Sequence, residues 1–228
     1  GRVRPLLGPG GAVAGGVAAE LLAAQRATLA IVRDLEQEVR PGSTERELAA
    51  RAQELARARG ATGFWTPVAV GAGSGNLVCH PDFPPTDRAV AEPDLVWFDV
   101  TPDFGGWPGD VTRSIVVGSD AARERVLADC ERIQGAIIAA IRPSMPANEL
   151  FAIARALLDA DGYELLDLLG NIGHDLGQGA KVTGFIDPRN ETAMLGCWAI
   201  EPHIGMDGIG AKVEDLVWID SEGVVVLA

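Results

Sequence analysis

Two segments of the chain place acidic residues where their side chains would meet across a β-hairpin. Residues 198–218 read WAIEPHIGMDGIGAKVEDLVW, in which Asp207-Gly208 favours the positive φ angles of a two-residue turn. Pairing the residues about that turn sets Glu201 directly opposite Glu214. Like charges in this position destabilise a sheet, so this pair requires a further explanation.

Residues 94–118 contain a second hairpin of the same kind. Its turn signal, DFGG, centres between Phe104 and Gly105 and sets Asp99 opposite Asp110. A polar, solvated face would explain one such pair, but both pairs are flanked by apolar strand residues. Four buried carboxylates need shared protons or positive charge between them. Divalent cations supply that charge and take oxygen ligands, so the two hairpins predict a metal cluster.

The elements around these hairpins occur in a repeated order. Apolar residues at three- and four-residue spacing predict a helix over residues 17–39, and a second helix follows over about 44–60. Thr44 and Glu47 are placed to form a capping box at the start of that second helix. Strand and turn sequence follows, and the helix-helix-strand order then returns, with helices predicted over about 120–160.

The repeat is also visible in the letters of the sequence. RPGSTEREL at 40–48 matches RPSMPANEL at 142–150, and DLVWFD at 94–99 matches DLVWID at 215–220. We infer an internal duplication, with half-repeats of about 17–118 and 119–228 that each contribute one carboxylate hairpin to a central site. Helices covering one face of a curved, mostly antiparallel sheet give a single domain of the α+β class.

Composition excludes several classes of partner. The 228 residues carry a formal net charge of −13, which argues against binding of nucleic acid or of an anionic membrane surface. The longest apolar runs, such as AIIAAI, are too short to span a bilayer. Three cysteines without disulfide spacing predict a reducing, cytoplasmic location. Residues 1–16 faintly resemble a signal peptide, but their Pro-Gly content favours a flexible leader.

Four motifs, taken together, resemble one family of proteins. They are DVTPDFGGWPGDVTRSIVVG, GNIGHDLGQG, AIEPH and KVEDLVWID, and they follow one another in the family's order and spacing. The chain looks like the catalytic domain of the pita-bread metallopeptidases of the M24 type, which include methionine aminopeptidases, aminopeptidase P and prolidases. The resemblance covers nearly the whole chain, from about Ala18 to its end.

The resemblance implies a two-metal site and a hydrolytic reaction. Its implied ligands are five residues: Asp99, Asp110, His174, Glu201 and Glu214. Two divalent ions, of Mn, Co, Fe or Zn, would lower the pKa of a bound water and polarise the scissile carbonyl. Glu201 would also carry a proton from this water to the leaving amine. Taken alone, a histidine in a glycine-rich loop such as His174 is more often a structural hydrogen-bonder.

Further positions match substrate-contacting or supporting residues of the family. His80, in NLVCHPDF, matches a histidine near the scissile bond, the alternative being a turn histidine before Pro81. Phe64 and Trp65 fall where the family builds its substrate pocket, and an ordinary core role is as good an interpretation. Thr112 and Arg113 are predicted to orient Asp110 and to tie its hairpin to neighbouring elements. Cys79 is set aside as a nucleophile, since adjacent strand residues point to opposite faces.

Three residues depart from the family pattern. Lys181 stands where the family carries a second catalytic histidine, seven residues after the ligand histidine. Lys212 stands where proline-specific members carry arginine, and regular strand geometry places it on the face of Glu214. His203 lies two residues after Glu201, and either a substrate contact or an exposed strand position fits it. The two lysines suggest an anchor for a substrate carboxylate, and hence a preference for dipeptides or acidic residues.

These features favour a dinuclear metallohydrolase that removes an N-terminal residue from a peptide or splits a dipeptide. Two alternatives stay open, namely a non-peptide amidohydrolase or lyase on the same fold and a metal-binding pseudoenzyme. The expected partners are a peptide or small amide substrate, with no nucleic acid and no membrane. A homodimer is compatible with the resemblance.

Overall fold

The structure is a computed structural model that describes residues 3–4 and 16–228. Its elements are β1 (Val3–Arg4), α1 (Ala19–Glu38), α2 (Glu45–Ala58), β2 (Gly63–Phe64), β3 (Ala69–Gly71), β4 (Asp94–Val100), β5 (Pro102–Asp103), β6 (Val111–Val117), α3 (Ala121–Ala140), α4 (Ala147–Asp161), β7 (Glu164–Leu165), β8 (Gly173–Asp175), β9 (Gly196–Ile200), β10 (His203–Met206), β11 (Ile209–Lys212), β12 (Asp215–Asp220) and β13 (Gly223–Val226). Most of the predicted leader, residues 1–2 and 5–15, lies outside the described residues, so the leader stays a prediction. Val3–Arg4 pairs in parallel with β13.

Local sequence signals set the boundaries of the helices. The predicted capping box at α2 is confirmed, because Thr44 and Glu47 each bond the other's backbone N–H through their side chains. The C-cap of α4 is Gly162 in the left-handed conformation, at φ 75°, which suits a residue without Cβ. None of the helices in the described part of the chain is long and apolar enough to cross a membrane.

The second carboxylate hairpin has the predicted register. Asp207 and Gly208 both have positive φ, and Met206 pairs with Ile209 on either side of them. Neither Glu201 nor Glu214 is part of the β9–β12 or β10–β11 ladders. Instead Glu201 donates its N–H to Ile172, and Glu214 donates its N–H to Thr112. The strands therefore separate where the two glutamates lie, and Pro202, which has no N–H, is part of that gap.

The first carboxylate hairpin differs from the prediction by one residue at its turn. Gly105 and Gly106 both have positive φ, so the turn centres between them rather than between Phe104 and Gly105. A left-handed conformation costs glycine little and an aromatic residue more, which explains the shift. Asp99 consequently pairs with Thr112 and not with Asp110. Moving the centre by one residue changes the pairing by two, so both carboxylates keep the predicted face.

The two halves repeat their hydrogen bonds as well as their element order. At the start of α2, Glu45 and Arg46 donate their N–H groups to Arg88 and Thr86. At the start of α4, the equivalent bonds run to Thr192 and Asn190. Each half has its own apolar core, in which α1 and α2 or α3 and α4 pack against the strands of that half. The described strands form four sheets, and the carboxylates lie where these sheets meet.

Candidate metal centre and substrate cavity

One cavity of about 260 Å³ lies between the two halves of the molecule. Nine of the residues singled out in the sequence line it: Trp65, His80, Asp99, Asp110, His174, Glu201, His203, Lys212 and Glu214. The structure thus brings together all five implied metal ligands, although they come from four separate segments of the chain. Phe64 and Lys181 do not line this cavity.

Asp110 is positioned by a glutamine that the sequence analysis did not single out. Gln25, fully buried in α1, donates Nε2–H to the Asp110 carbonyl oxygen at 2.9 Å and accepts the Asp110 N–H at 3.0 Å. These two hydrogen bonds to the backbone fix the chain at Asp110 against α1. The prediction that Thr112 orients Asp110 is wrong, since the Thr112 hydroxyl donates to Glu214 Oε2 at 2.8 Å.

Arg113 ties the first hairpin to the second, as predicted. Its Nη1 donates to the Glu214 carbonyl oxygen and its Nη2 to Asp215 Oδ1, both at 2.5 Å. Together with the bond from the Glu214 N–H to Thr112, these contacts cross from one half of the molecule to the other. They hold the last glutamate ligand in register with the first hairpin.

His174 presents a free lone pair to the carboxylates. Its Nδ1 lies 2.9 Å from the Asp175 carbonyl oxygen, which can only accept, so Nδ1 carries the hydrogen. Nε2 then lies unprotonated 3.4 Å from Glu201 Oε1 and 3.6 Å from Asp110 Oδ2. This tautomer is the one in which histidine Nε2 binds a metal while a backbone carbonyl orients the ring.

Two groups of side chains have the spacing of metal ligands. One group is Asp110, His174 and Glu214, and the other is Asp99, Glu201 and Glu214. Three carboxylate oxygens in these groups are buried without any hydrogen bond: Asp99 Oδ1, Asp110 Oδ2 and Glu214 Oε1. A buried carboxylate oxygen without a partner is costly, and cations at this point would satisfy all three. The donor set of oxygens and one imidazole suits divalent ions.

Lys212 is an additional charge within the same cluster. Its Nζ lies 2.6 Å from Asp99 Oδ2, 2.8 Å from Glu201 Oε2 and 3.8 Å from Glu214 Oε2. The prediction that it shares the face of Glu214 agrees with this placement. Because the ammonium group already contacts these metal-ligand candidates, it is not free to anchor a substrate carboxylate.

Burial and mutual repulsion shift the acidities of the cluster. Burial, followed by the charge of Glu214, raises the pKa of Asp110 well above its ordinary value. Burial and the charge of Glu201 raise the pKa of Glu214 in the same way. Burial opposes ionisation of Glu201 too, yet the ammonium group of Lys212 lowers its pKa overall. Without cations, Asp110 and Glu214 therefore hold a proton more strongly than free carboxyl groups do, whereas Glu201 ionises more easily beside Lys212.

His80 and Cys79 are adjacent in the chain, and both line the cavity. His80 lines it, accepts the Asp82 N–H at Nδ1 and packs edge-on against Phe83. Cys79 lies in irregular chain beside His80, so the strand argument against this pair was wrong. Cys79 is nevertheless a poor nucleophile, because burial raises the pKa of its thiol well above the usual value.

Of the two aromatic residues expected in the substrate pocket, Trp65 lines the cavity and Phe64 does not. Trp65 packs edge-on against His174 at 5.6 Å and donates Nε1–H to the Gly109 carbonyl oxygen, so it forms a wall of the cavity. Phe64 packs against the core of the first half, with Arg57 above its ring. The expectation of a substrate contact at Phe64 therefore fails, and its alternative as a core aromatic holds.

Lys181 lies outside the cavity, contrary to the expectation of a substrate contact. It is exposed and lines a separate surface pocket with Trp107 and Trp218. Its carbonyl oxygen accepts the Gly177 N–H, which closes a tight turn after β8. The turn directs this part of the chain to the surface, and Val182 and Phe185 line the cavity instead.

Asp167 and Asn171 also line the cavity, and the sequence analysis missed both. Asp167 Oδ1 accepts N–H groups from Leu169 and Asn171 and from the Asn171 side chain, at 2.9–3.0 Å. The signal available in the sequence was DLLGN, an aspartate followed by a turn, which ends three residues before the ligand histidine.

Comparisons with known proteins indicate the family of this chain. A family model described as metallopeptidase family M24 matches residues 19–221. An Xaa-Pro dipeptidase of Pyrococcus furiosus is 30% identical over 193 residues, covering 82% of this chain and 54% of that protein. A probable dipeptidase PepE of Mycobacterium bovis is 31% identical over 192 residues, covering 81% and 50%. The chain spans about half the length of these curated relatives.

Solved structures share the fold. A prolidase from Pyrococcus furiosus superimposes with a TM-score of 0.83 at 26% identity, covering 91% of this chain and 62% of that one. An X-Pro aminopeptidase from Thermotoga maritima superimposes with a TM-score of 0.82 at 21% identity, covering 91% and 59%. The predicted α+β fold is confirmed by these similarities.

Proposed function

The chain belongs to metallopeptidase family M24, and from that premise we propose that it is a two-metal hydrolase of short peptides, either splitting Xaa-Pro dipeptides or removing an N-terminal residue. One observation carries the proposal. Five side chains with the donor chemistry of metal ligands converge in one cavity, and three of their buried oxygens have no hydrogen-bond partner. The names of the relatives, which are dipeptidases, indicate the substrate class to test first.

The proposed ligands are Asp99, Asp110, His174, Glu201 and Glu214. Divalent cations held by them would supply Lewis acidity and an ionised water near neutral pH. His174 would contribute Nε2, the nitrogen left unprotonated by its bond to the Asp175 carbonyl. Lys212 would hold Asp99 and Glu201 by one oxygen each, leaving Asp99 Oδ1 free of hydrogen bonds.

Two residues are proposed to move or direct protons and substrate. Glu201 remains ionised beside Lys212 and would carry a proton from water to the leaving amine. His80 lines the cavity at a side-chain exposure of 25%, and it would contact substrate next to the scissile bond. Trp65 and Phe185, which both pack edge-on with His174, would limit water entry around it.

The proposal does not include Lys181 or Lys212 as an anchor for a substrate carboxylate. Lys212 is engaged by carboxylates, and Lys181 lies outside the cavity. A cytoplasmic location and a homodimer stay predictions, as does the choice among Mn, Co, Fe and Zn.

The test is a hydrolysis assay of the purified chain loaded separately with each of these four metals. The panel comprises Xaa-Pro dipeptides, other dipeptides, longer peptides and small non-peptide amides. Metal-dependent release of an N-terminal residue is the expected result, and Glu201→Gln should remove it. Turnover of amides alone would assign the chain to non-peptide substrates, and bound metal without any turnover would make it a pseudoenzyme.

A further inference from the structure

The cavity changes its polarity between its buried end and its opening. Seven of the described residues that line it are buried, and all seven are polar or charged, among them Asp110, His174, Lys212 and Glu214. Four of the described lining residues are exposed to solvent, and all four are apolar: Pro67, Pro81, Leu169 and Phe185. A residue that both lines a cavity and is exposed lies where the cavity opens. The mouth, defined by these four residues, is therefore apolar, which reverses the usual order of apolar groups inside and polar groups outside.

A tight turn holds Leu169 in the mouth. The Gly170 N–H bonds the Asp167 carbonyl oxygen at 3.1 Å, so Leu168 and Leu169 are the two central residues of this turn. Asp167 Oδ1 also accepts the Leu169 N–H at 2.9 Å. Central turn positions usually carry Gly, Pro, Asn, Asp or Ser. Here they carry two leucines, which are 54% and 58% exposed. Because polar contacts fix the turn, the leucine side chains stay at the surface.

Phe185 connects the mouth to the interior of the cavity. Its ring packs edge-on against the His174 imidazole, with 6.3 Å between the ring centroids, and the residue is nevertheless 39% exposed. Phe83, which is 56% exposed, packs edge-on against His80, another lining residue, also at 6.3 Å. Large apolar side chains that three separate loops expose around one cavity are typical of a binding surface.

The charges of the cavity disfavour a substrate that ends at its mouth. Lys212 is the one lysine or arginine among the described lining residues, and its ammonium group is buried and bound to Asp99 and Glu201. A dipeptide carries its carboxylate one residue after the scissile bond. With the scissile carbonyl at the candidate metal ligands, that carboxylate would face either acidic side chains or the apolar mouth, which costs free energy.

The size of the cavity decides which part of a longer peptide meets the mouth. Its volume of about 260 Å³ lies below the roughly 300–1,000 Å³ of sites for drug-sized ligands, so it holds the two residues around the scissile bond and little more. A third residue would then lie at the opening, and its side chain would contact the mouth.

We propose that the mouth selects peptides longer than dipeptides that carry an apolar side chain at their third residue, with Leu169 and Phe185 as the specificity-determining contacts. The inference rests on the proposed peptidase function, and of the two activities named there it selects removal of an N-terminal residue. Hydrolysis adds one water across the first peptide bond, which releases the first residue as a free amino acid and leaves a new amino terminus on the rest.

Four substrates that share their first two residues test the proposal. They are alanyl-proline, alanyl-prolinamide, Ala-Pro-Leu amide and Ala-Pro-Ser amide; if the hydrolysis panel favours another first pair, that pair replaces Ala-Pro in all four. We measure kcat/KM for metal-loaded wild type, Leu169→Ser, Leu169→Lys and Phe185→Ser. Leu195→Ser is the matched control, since Leu195 is 52% exposed and lines the separate surface pocket instead of the cavity. Metal content and light scattering are recorded for every protein.

For wild type we expect kcat/KM to be roughly tenfold higher for alanyl-prolinamide than for alanyl-proline, because the amide lacks the unpaired carboxylate. Ala-Pro-Leu amide should exceed Ala-Pro-Ser amide about fivefold, the value of partly burying a leucine side chain. Leu169→Ser and Phe185→Ser should each move this leucine-to-serine ratio towards one. Leu169→Lys should narrow the gap between alanyl-proline and its amide, since an ammonium group then pairs with the carboxylate. Leu195→Ser should keep both wild-type ratios.

Other results would overturn the proposal. A wild-type preference for alanyl-proline over its amide would remove the selection against dipeptides. A leucine-to-serine ratio that stays at the wild-type value in both Leu169→Ser and Phe185→Ser would remove the assignment of these residues. If light scattering then showed a changed oligomeric state, the mouth would instead bind a second copy of the chain. If wild-type protein hydrolyses no peptide with any metal, the proposed function itself fails, which differs from measurable turnover without these preferences.

Discussion

Lys212→Met should destabilise the metal-free protein far more than the metal-loaded one. In the absence of cations, the Lys212 ammonium is the charge that offsets the buried carboxylates, at 2.6 Å from Asp99 and 2.8 Å from Glu201. Methionine keeps most of the side-chain volume and removes the charge. Cations bound to the same carboxylates would supply positive charge in its place, so the loss should then matter less.

The structure sets the size of this effect. An ion pair at 2.6 Å has a gross attraction of about 6 kcal/mol at an effective dielectric constant of 20, and desolvation offsets part of it. Removing one partner of a buried pair costs about 3–5 kcal/mol. For a chain of 228 residues this corresponds to a fall in Tm of roughly 6–20 °C in the metal-free protein. With saturating metal, less than half of that fall should remain.

Differential scanning calorimetry, with EDTA and with saturating Mn(II), measures both shifts. Arg88→Met is a matched control, because Arg88 pairs at 2.8 Å with the buried carboxylate of Glu45, which belongs to neither metal group. Its effect on Tm should be the same with and without metal. Equal shifts for Lys212→Met in the two states would refute the idea that the ammonium and the cations neutralise the same carboxylates.

Three further predictions follow from the same cluster. Gln25→Leu leaves the N–H and C=O of Asp110 buried without partners. The substitution should lower the free energy of unfolding by about 2–4 kcal/mol, measured by urea titration. It should also weaken metal binding, measured by calorimetry. Burial and mutual repulsion raise the pKa of Asp110 and Glu214 in the folded metal-free protein, so metal binding should release protons at pH values below those raised pKa values, and metal affinity should rise as the pH rises through them. Calorimetry in buffers of different ionisation enthalpy measures this release, and it would show no buffer dependence if both groups were already ionised. His80→Ala should leave metal content intact and reduce kcat/KM on the best peptide substrate, and an unchanged kcat/KM would return His80 to a structural role.

The sequence predicted the elements that depend on local signals. The capping box of Thr44 and Glu47 set the start of α2, and the Asp207-Gly208 turn set the register that places Glu201 opposite Glu214. Both are interactions between residues close in the chain, so composition and spacing contain them. The error at Gly105-Gly106 was local as well, since only that pair can take two positive φ angles at low cost.

The resemblance to a family supplied what spacing could not. His174 alone had no strong signal, and the structure places it within 3.6 Å of Asp110 and Glu201. The motifs also led to His80 and Trp65, which line the cavity, and to Phe64, which does not. Position in a motif indicates the neighbourhood of a residue, whereas the direction of its side chain depends on the packing around it.

Contacts between distant segments were decided by the tertiary structure. Gln25 holds Asp110 across 85 positions, and Asp167 follows β7, which pairs with β10, a neighbour that the sequence does not indicate. The same applies to charge: Lys212 and Lys181 are both lysines near the ligand motifs, yet one is buried among carboxylates and the other is exposed. The sequence by itself determined which chemical groups are present and how each hairpin and helix begins and ends. Which groups meet, which are desolvated and which pKa values shift followed only from the docking of the two halves, because burial and long-range contact are properties of the folded chain.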